Sequence, residues 1–386
     1  MKLFFHKRVD TRHLFPVFCP HCFRTFPANN VVFRKPDTKE ITPEDPYIEY
    51  YNQYYYRNLK VYLPRTIDPA YIPSEKDKKY DSNGMLIGVY DVEGDNSLVT
   101  NRICPYCHNR LAAAAGTMPF HVLSVVGFKF FGKTTYEAAL IHSLRMDSIG
   151  CSNVSVGFKE GIDVGMVEDN IKKIREDVKV VSTSIVDGPF TYQISVGSEE
   201  KKPFLLNMVD LPGEAFQNAE SLKTVGHAIP NSDTCIFLVD LEHMDQCQKT
   251  FGSLVGNYRK ELLSGSINVA VVLYKTDLLS KYYPNLPENL SFDKKRNYRD
   301  NVPIDLDRID KNHNQIITFV LNGNKGQDFK ALYADLQANV PPKNLKLFAA
   351  HSNKDNRFDP CNVEEPLLWS LALKGLYPRK EVSHGT

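Results

Sequence analysis

The rhythm of apolar positions changes near Met118. Downstream, short apolar runs alternate with stretches whose apolar residues recur at helical spacing. The runs predict strands at His121–Val126, Phe190–Val196, Phe204–Val209, Thr234–Val239, Ile267–Tyr274 and Leu345–Ala350. The intervening patterns predict helices at Thr135–Leu144, Glu214–Ala228, Met244–Leu263, His313–Ala338 (with a break at Asn322-Gly323-Asn324) and Val363–Leu376. A further polar helical stretch, Val167–Val178, falls in the long segment between Ser148 and Lys179. Strands this apolar, separated by helices, predict an α/β fold with a mostly parallel sheet covered on both faces. Upstream of Met118 the alternation is absent, and tyrosines and turn residues dominate. The run Leu111–Thr117 marks the join, which predicts one domain over residues 1–117 and another over 118–386.

The strand–helix junction after Val126 carries the first candidate chemistry. Gly127-Phe128-Lys129-Phe130-Phe131-Gly132-Lys133-Thr134 fits G-x-x-x-x-G-K-[ST] at every fixed position, and Thr135 follows on the helix. A glycine loop between a buried strand and a helix turns backbone N–H groups and the helix N-terminus toward one point, where phosphate oxygens are held. Lys133 would reach the β- and γ-phosphates, and the Thr134 hydroxyl would ligate magnesium. Lys129 either adds positive charge near the phosphates or projects to solvent. Phe130 and Phe131 either pack on a neighbouring element or mark a docking face.

The chain has eight cysteines, unevenly placed. Cys19 and Cys22 form one C-x-x-C, and Cys104 and Cys107 form another. Such pairs in a reducing compartment favour a metal site over disulfides. Phe18-Cys19-Pro20-His21-Cys22 and Ile103-Cys104-Pro105-Tyr106-Cys107 have the form of two zinc knuckles, which together make a tetrahedral Cys₄ zinc site. Four thiolates complete that site, so His21 and His108 are read as non-ligands. The separation between the pairs is far wider than usual, and residues 23–103 are read as an insertion. Its Tyr47, Tyr50, Tyr51, Tyr54, Tyr55 and Tyr56 offer either a partner surface or a small core of the insertion's own.

Two more strand ends carry motifs. Asp210-Leu211-Pro212-Gly213 follows Phe204–Val209, placing a carboxylate for magnesium and a glycine for the γ-phosphate. Tyr274-Lys275-Thr276-Asp277 ends Ile267–Tyr274. The succession G-x-x-x-x-G-K-T, D-x-x-G, x-K-x-D resembles the P-loop GTPases of the translation-factor and Ras-like class, over roughly residues 119–377. The resemblance implies a P-loop G domain in which Asp277 accepts two hydrogen bonds from guanine and the Lys275 stem covers the base. Tyr274 departs from the family's Asn or Thr. The resemblance also implies base contacts at Ala350 and His351, in Phe348-Ala349-Ala350-His351-Ser352. It implies a switch threonine for magnesium and γ-phosphate, assigned to Thr183 with Ser182 and Ser184 as alternatives. Glu214 stands where Ras-like enzymes orient the attacking water. It either does so, slowly, or simply begins the next helix, where an acidic residue is favourable. With the cysteine module and the C-terminal Glu364–Trp369 segment, the combination is similar to bacterial double-GTPase families of conflict and signalling systems.

Net charge is +1, so no overall field favours nucleic acid or a membrane surface. No apolar run approaches the roughly 20 residues of a membrane span, and a cytoplasmic location is expected. The expected activity is that of a GTP/GDP switch with slow magnesium-dependent hydrolysis and a zinc ribbon that docks a protein partner. An ATPase or kinase on the same loop is the alternative, and a binding module with a structural nucleotide is the third reading.

Overall fold

A computed structural model describes residues 13–40, 62–72, 74–146, 149, 153–158, 169–170, 172–173, 176, 190–197, 203–217, 221–222, 226–276, 304–323, 326–354 and 357–377. The chain divides into two compact units, Met1–Phe120 and His121–Thr386.

The strands of the first unit are β1 (Val17–Phe18), β2 (Thr25–Phe26), β3 (Val32–Glu40), β4 (Tyr62–Ile67), β5 (Lys78–Tyr80), β6 (Leu86–Tyr90), β7 (Leu98–Val99) and β8 (Arg102–Ile103). β1 pairs with β2, β3 lies between β4 and β8, and β6 lies between β5 and β7, all antiparallel. Elements this short bury little apolar surface each. They pool it instead: Val17, Phe26, Phe33, Leu86, Val89 and Val99 form one core with Cys19, Cys104 and Cys107. The described part of the 23–103 insertion thus shares its core with the cysteines. The tyrosines from Tyr47 to Tyr56 lie outside the described residues.

The second unit continues with β9 (Phe120–Val126), β10 (Asn153–Phe158), β11 (Phe190–Gly197), β12 (Phe204–Asp210), β13 (Thr234–Val239), β14 (Asn268–Tyr274), β15 (Leu345–Lys354) and β16 (Arg357–Cys361). Its helices are α1 (Lys133–Arg145), α2 (Met244–Ser264), α3 (Leu306–Leu321), α4 (Gly326–Asn339) and α5 (Glu365–Leu373). The strands form one eight-stranded sheet in the order β10-β11-β12-β9-β13-β14-β15-β16. β9, β13, β14 and β15 are joined by parallel ladders. The ladders β10–β11, β11–β12 and β15–β16 are antiparallel. The sheet is therefore mixed, where its apolar runs predicted a mostly parallel one: β11–β12 and β15–β16 are consecutive strands with short connections, which allow only antiparallel pairing.

Both faces of the central strands are buried. Val125, Leu206, Ile236, Ala270 and Phe348 pack with Tyr136, Ile141 and Trp369 from α1 and α5. The alternating partner Phe237 meets Phe251 of α2 at 5.9 Å between ring centroids. Of the predicted helix Glu214–Ala228, the described residues Ser221-Leu222 are helical, while its two ends are the 3-10 segments Gly213–Gln217 and Gly226–Asn231. Three carbonyls of this stretch accept from side chains of α2. Ser253 Oγ donates to Phe216 O at 2.7 Å, and Tyr258 Oη donates to Leu222 O at 3.4 Å and Gly226 O at 3.1 Å. Tyr258 leaves helical geometry to do so, which kinks α2. The break near Asn322 separates α3 from α4, and α3 starts earlier than expected, where Asp305 caps it by accepting from Arg308 N. No helix among the described residues is long and apolar enough to cross a membrane.

A polar network lies under the amino-terminal edge of the sheet. His121 Nε2 and Ser370 Oγ are 2.8 Å apart, Ser370 bonds Thr234, and His121 Nδ1 is 3.4 Å from Asp233 Oδ2. Ser, His and Asp in contact suggest acyl transfer, but His121 and Ser370 are 0% and 1% exposed, closed off from solvent. The network instead joins β9, β13 and α5, with Lys374 bonded to Asp233 at 2.7 Å.

Burial lowers the His121 pKa from 6.5 to about 4. The unfolded chain therefore takes up a proton that the folded chain refuses. Stability contributed by neutral His121 is full above about pH 6.5 and is lost as pH falls toward about 4, by about 3 kcal/mol over that window. Urea midpoints measured across this range should fall more steeply for the wild type than for His121→Asn. Equal slopes would show that His121 is not the responsible group.

Candidate functional site

The parallel strands place their carboxyl ends along one edge of the sheet. Chain order reverses around β9, whose neighbours are β12 and β13. In α/β sheets this reversal opens a crevice at the carboxyl ends of the strands, where ligands bind. The sequence-predicted residues that end β9, β12 and β14 therefore meet at one place.

The loop after β9 is shaped by left-handed residues. Phe130 has φ 71° and Gly132 has φ 87°. Gly132 caps α1 with no side-chain hydrogen bond, so the first amides of the helix face the edge. Lys133 is 8% exposed, and its Nζ donates to Gly127 O at 3.1 Å and Phe128 O at 3.3 Å. Burial pushes the ammonium pKa down, against Asp210, Glu137 and Glu214, which favour the charge. Thr134 Oγ1 donates to Asp210 Oδ2 at 3.4 Å. The two described residues expected to share magnesium thus stand side by side. Gly213 is appressed to the loop: a Cβ there would lie 2.5 Å from Lys129 N and 2.8 Å from Lys133 Nζ. Lys129 does not project freely to solvent, since its ammonium pairs with Glu214. Phe131 is buried and Phe130 is 62% exposed. A cleft of about 880 Å³ opens beside the loop, between Phe128, Phe216 and the α2 residues Thr250, Ser253 and Asn257.

Tyr274 keeps a tie to the loop by a different means from an Asn. A Cβ on Gly132 would stand 2.8 Å from a Tyr274 ring carbon, so ring and glycine are in mutual contact. The ring meets Tyr136 edge-on at 5.7 Å, and its hydroxyl bonds Ser352. Lys275 has φ 62°, and its Nζ sits 2.7 Å from Asp240 Oδ2 at the end of β13. Thr276 Oγ1 and His351 Nδ1 are 2.8 Å apart. Ala350 and His351 do not end their strand as expected. β15 runs on to Lys354, because β16 pairs with it and places Cys361 opposite His351. Thr183, Ser182, Ser184 and Asp277 lie outside the described residues, as does most of Val167–Val178.

Two residues escaped the sequence reading. Glu137 is 0% exposed, and neither carboxyl oxygen has a hydrogen-bond partner. Burial, then Asp210, raises its pKa well above the carboxylate range. Nothing in the sequence marked it, since an acidic residue early in a helix reads as a dipole partner. Asp240 was legible, because it ends a buried strand as Asp210 does. Asp240, Glu242 and His243 also lie within ligand reach of one another, and Lys275 supplies the countercharge there.

The second candidate centre is in the first unit. Four thiolates about 2.3 Å from one tetrahedral ion stand about 3.8 Å apart. Cys19 Sγ is 3.6 Å from Cys107 Sγ, and Cys22 Sγ is 3.7 Å from Cys104 Sγ. Disulfides would need about 2.05 Å. The four cysteines could therefore hold a metal such as zinc, and neither His21 nor His108 belongs to the cluster. The two knuckles repeat one backbone design. Cys19 N–H donates to Arg24 O and Phe23 N–H to Cys19 O; Cys104 N–H donates to Asn109 O and His108 N–H to Cys104 O. Phe23 and His108 both turn at positive φ, 60° and 55°. Tyr106 N–H and Asn109 Nδ2 donate to the sulfurs of Cys104 and Cys107, each at 3.4 Å. Burial pushes the Cys19 and Cys107 thiols up, while hydrogen bonding, first from Cys104, pushes Cys22 down. A dry thiolate cluster needs a cation to offset its charge.

The purified protein should carry about one zinc per chain, released on thiol modification and read with a chelating dye. Cys104→Ser should lose the metal and destabilise the first unit. Zinc content unchanged in that variant, or absent from the wild type after refolding with zinc, would remove the metal centre. The chain matches no family model, and no curated protein matches it.

Proposed function

We propose that this chain is a P-loop GTPase, a GTP/GDP switch with slow magnesium-dependent hydrolysis, joined to a zinc module that docks a protein partner. The observation that carries this reading is the convergence of Lys133, Thr134, Asp210 and Gly213 at the carboxyl edge beside the strand-order reversal. A buried ammonium, open helix amides and a hydroxyl–carboxylate pair form a donor set suited to a polyphosphate and a divalent ion.

The residues divide the work. The amides from Phe128 to Thr135 hold the phosphates. Lys133 exchanges its loop carbonyls for β- and γ-oxygens. Thr134, Asp210 and Thr183 would hold magnesium, which when bound neutralises charge developing on the phosphates. Gly213 N–H meets the γ-phosphate, and Glu214 orients the water that attacks in line. Positioning and charge account for the acceleration. A carboxylate in that role faces a like-charged substrate, which makes turnover slow. Lys275 and Asp277 read guanine with Ala350 and His351 alongside. A base-reading carboxylate rejects adenine, which would leave it unpaired. The ATPase alternative rests on Tyr274, and the contact of that ring with Gly132 supports a loop tie of the kind the GTPase reading needs.

Equilibrium binding of labelled GTP, GDP and ATP with magnesium tests the reading. The wild type should prefer guanine, Lys133→Ala should weaken binding by about a hundredfold or more, and Asp277→Asn should erase the base preference. ATP preference in the wild type would favour the ATPase, and unchanged affinity in Lys133→Ala would discard the phosphate loop.

A further inference from the structure

Within the phosphate loop, Lys129 is the residue whose place the nucleotide reading leaves unexplained. Its ammonium has two partners. It pairs with Glu214, and it stands 5.3 Å from the centre of the Phe130 ring. Lys129 and Glu214 are each about one-third exposed, so the pair sits at the rim of the site. Phe130 holds a left-handed backbone at φ 71°, a conformation costly for a bulky residue, and that turn brings ring and ammonium together. The pair fastens the start of the Gly213–Gln217 segment onto the loop. Gly213 is thereby pressed against the Lys129 amide and the Lys133 ammonium, with no room for a side chain between them. Those two donors are the ones a terminal phosphate would need.

We propose that Lys129 reads the third phosphate: it trades Glu214 for the γ-phosphate, and the trade frees the Glu214 carboxylate while Gly213 stays at the loop to meet the same phosphate. The inference rests on the guanine-nucleotide reading above. A triphosphate brings a more highly charged acceptor than one carboxylate, with several oxygens, and ammonium hydrogen bonds to such groups are among the strongest available. A diphosphate lacks that acceptor and leaves the pair intact. Lys129 and Glu214 thus make one two-position contact whose occupant depends on phosphate number. Glu214 is freed toward the attacking water only when the substrate is a triphosphate.

The test is a double-mutant cycle on the full chain, read by equilibrium binding of fluorescent GDP and a fluorescent β,γ-imido analogue of GTP. Lys129→Ala should lower affinity for the triphosphate analogue by about tenfold or more and leave GDP nearly unchanged. Glu214→Gln should raise triphosphate affinity, because the competitor for Lys129 is gone. In the double variant this gain should vanish, giving strong non-additivity. Lys129→Arg keeps the charge, should preserve the triphosphate preference, and separates the role from a folding defect. Equal losses for both nucleotides in Lys129→Ala, or additive effects in the double variant, would overturn the phosphate-reading role while leaving nucleotide binding intact. A wild type that binds neither nucleotide would overturn the guanine-nucleotide reading and this inference with it.

Discussion

The second unit is organised around the burial of one ammonium. Moving a charge such as Lys133 out of water costs several kcal/mol unless hydrogen bonds and countercharges replace the solvent. Here the loop bends back so that the carbonyls of Gly127 and Phe128 accept from Nζ, and Asp210, Glu137 and Glu214 gather around it. That bend requires the left-handed turns at Phe130 and Gly132. The Gly132 turn leaves no side chain, which lets the Tyr274 ring close against the loop from β14. Gly213 closes from β12 in the same way. Each neighbouring strand thus contributes a residue whose size is set by the lysine and its loop.

Both candidate centres gather like charges that are costly to bury. In the first unit, four sulfurs stand at the spacing of a single tetrahedral ion, with N–H donors aimed at two of them. In the second, the fully buried Glu137 interacts with the nearby Asp210, which raises its pKa further. Such arrangements persist only where a proton, a partner or a cation offsets the repulsion. The carboxyl groups around Lys133 and the thiols around the cysteine cluster therefore follow the same electrostatic rule, one with hard oxygen donors and the other with soft sulfur.

Short-range patterns made much of the architecture legible. The apolar runs for β9, β11, β12, β13 and β14 lie where the structure has them to within a residue or two, because strands buried on both faces are mostly apolar, and the few polar positions, such as His121 and Thr234, are hydrogen-bonded. β10 and β16 were missed for the converse reason. They lie at the sheet's edges, and Asn153–Phe158 and Arg357–Cys361 show no run that separates them from loops. The Glu214–Ala228 pattern has helical spacing, and at its described ends the carbonyls of Phe216 and Gly226 are satisfied by Ser253 and Tyr258 of α2, partners far away in sequence. Ala350 and His351 were assigned to a strand end because the pairing of β15 with β16 depends on a segment with no recognisable signal.

By itself, the sequence determined the glycine loop at the end of β9, the acidic and basic residues that end β12 and β14, and the two cysteine pairs. Each is a local spacing, and local backbone geometry alone turns it into a direction for side chains. Only the tertiary structure decided which of these directions converge. It brought Lys129 to Glu214, Lys275 to Asp240, and Glu137 toward Asp210. Those meetings depend on strand order and on which segments pack together, and strand order follows from burial summed over the whole sheet.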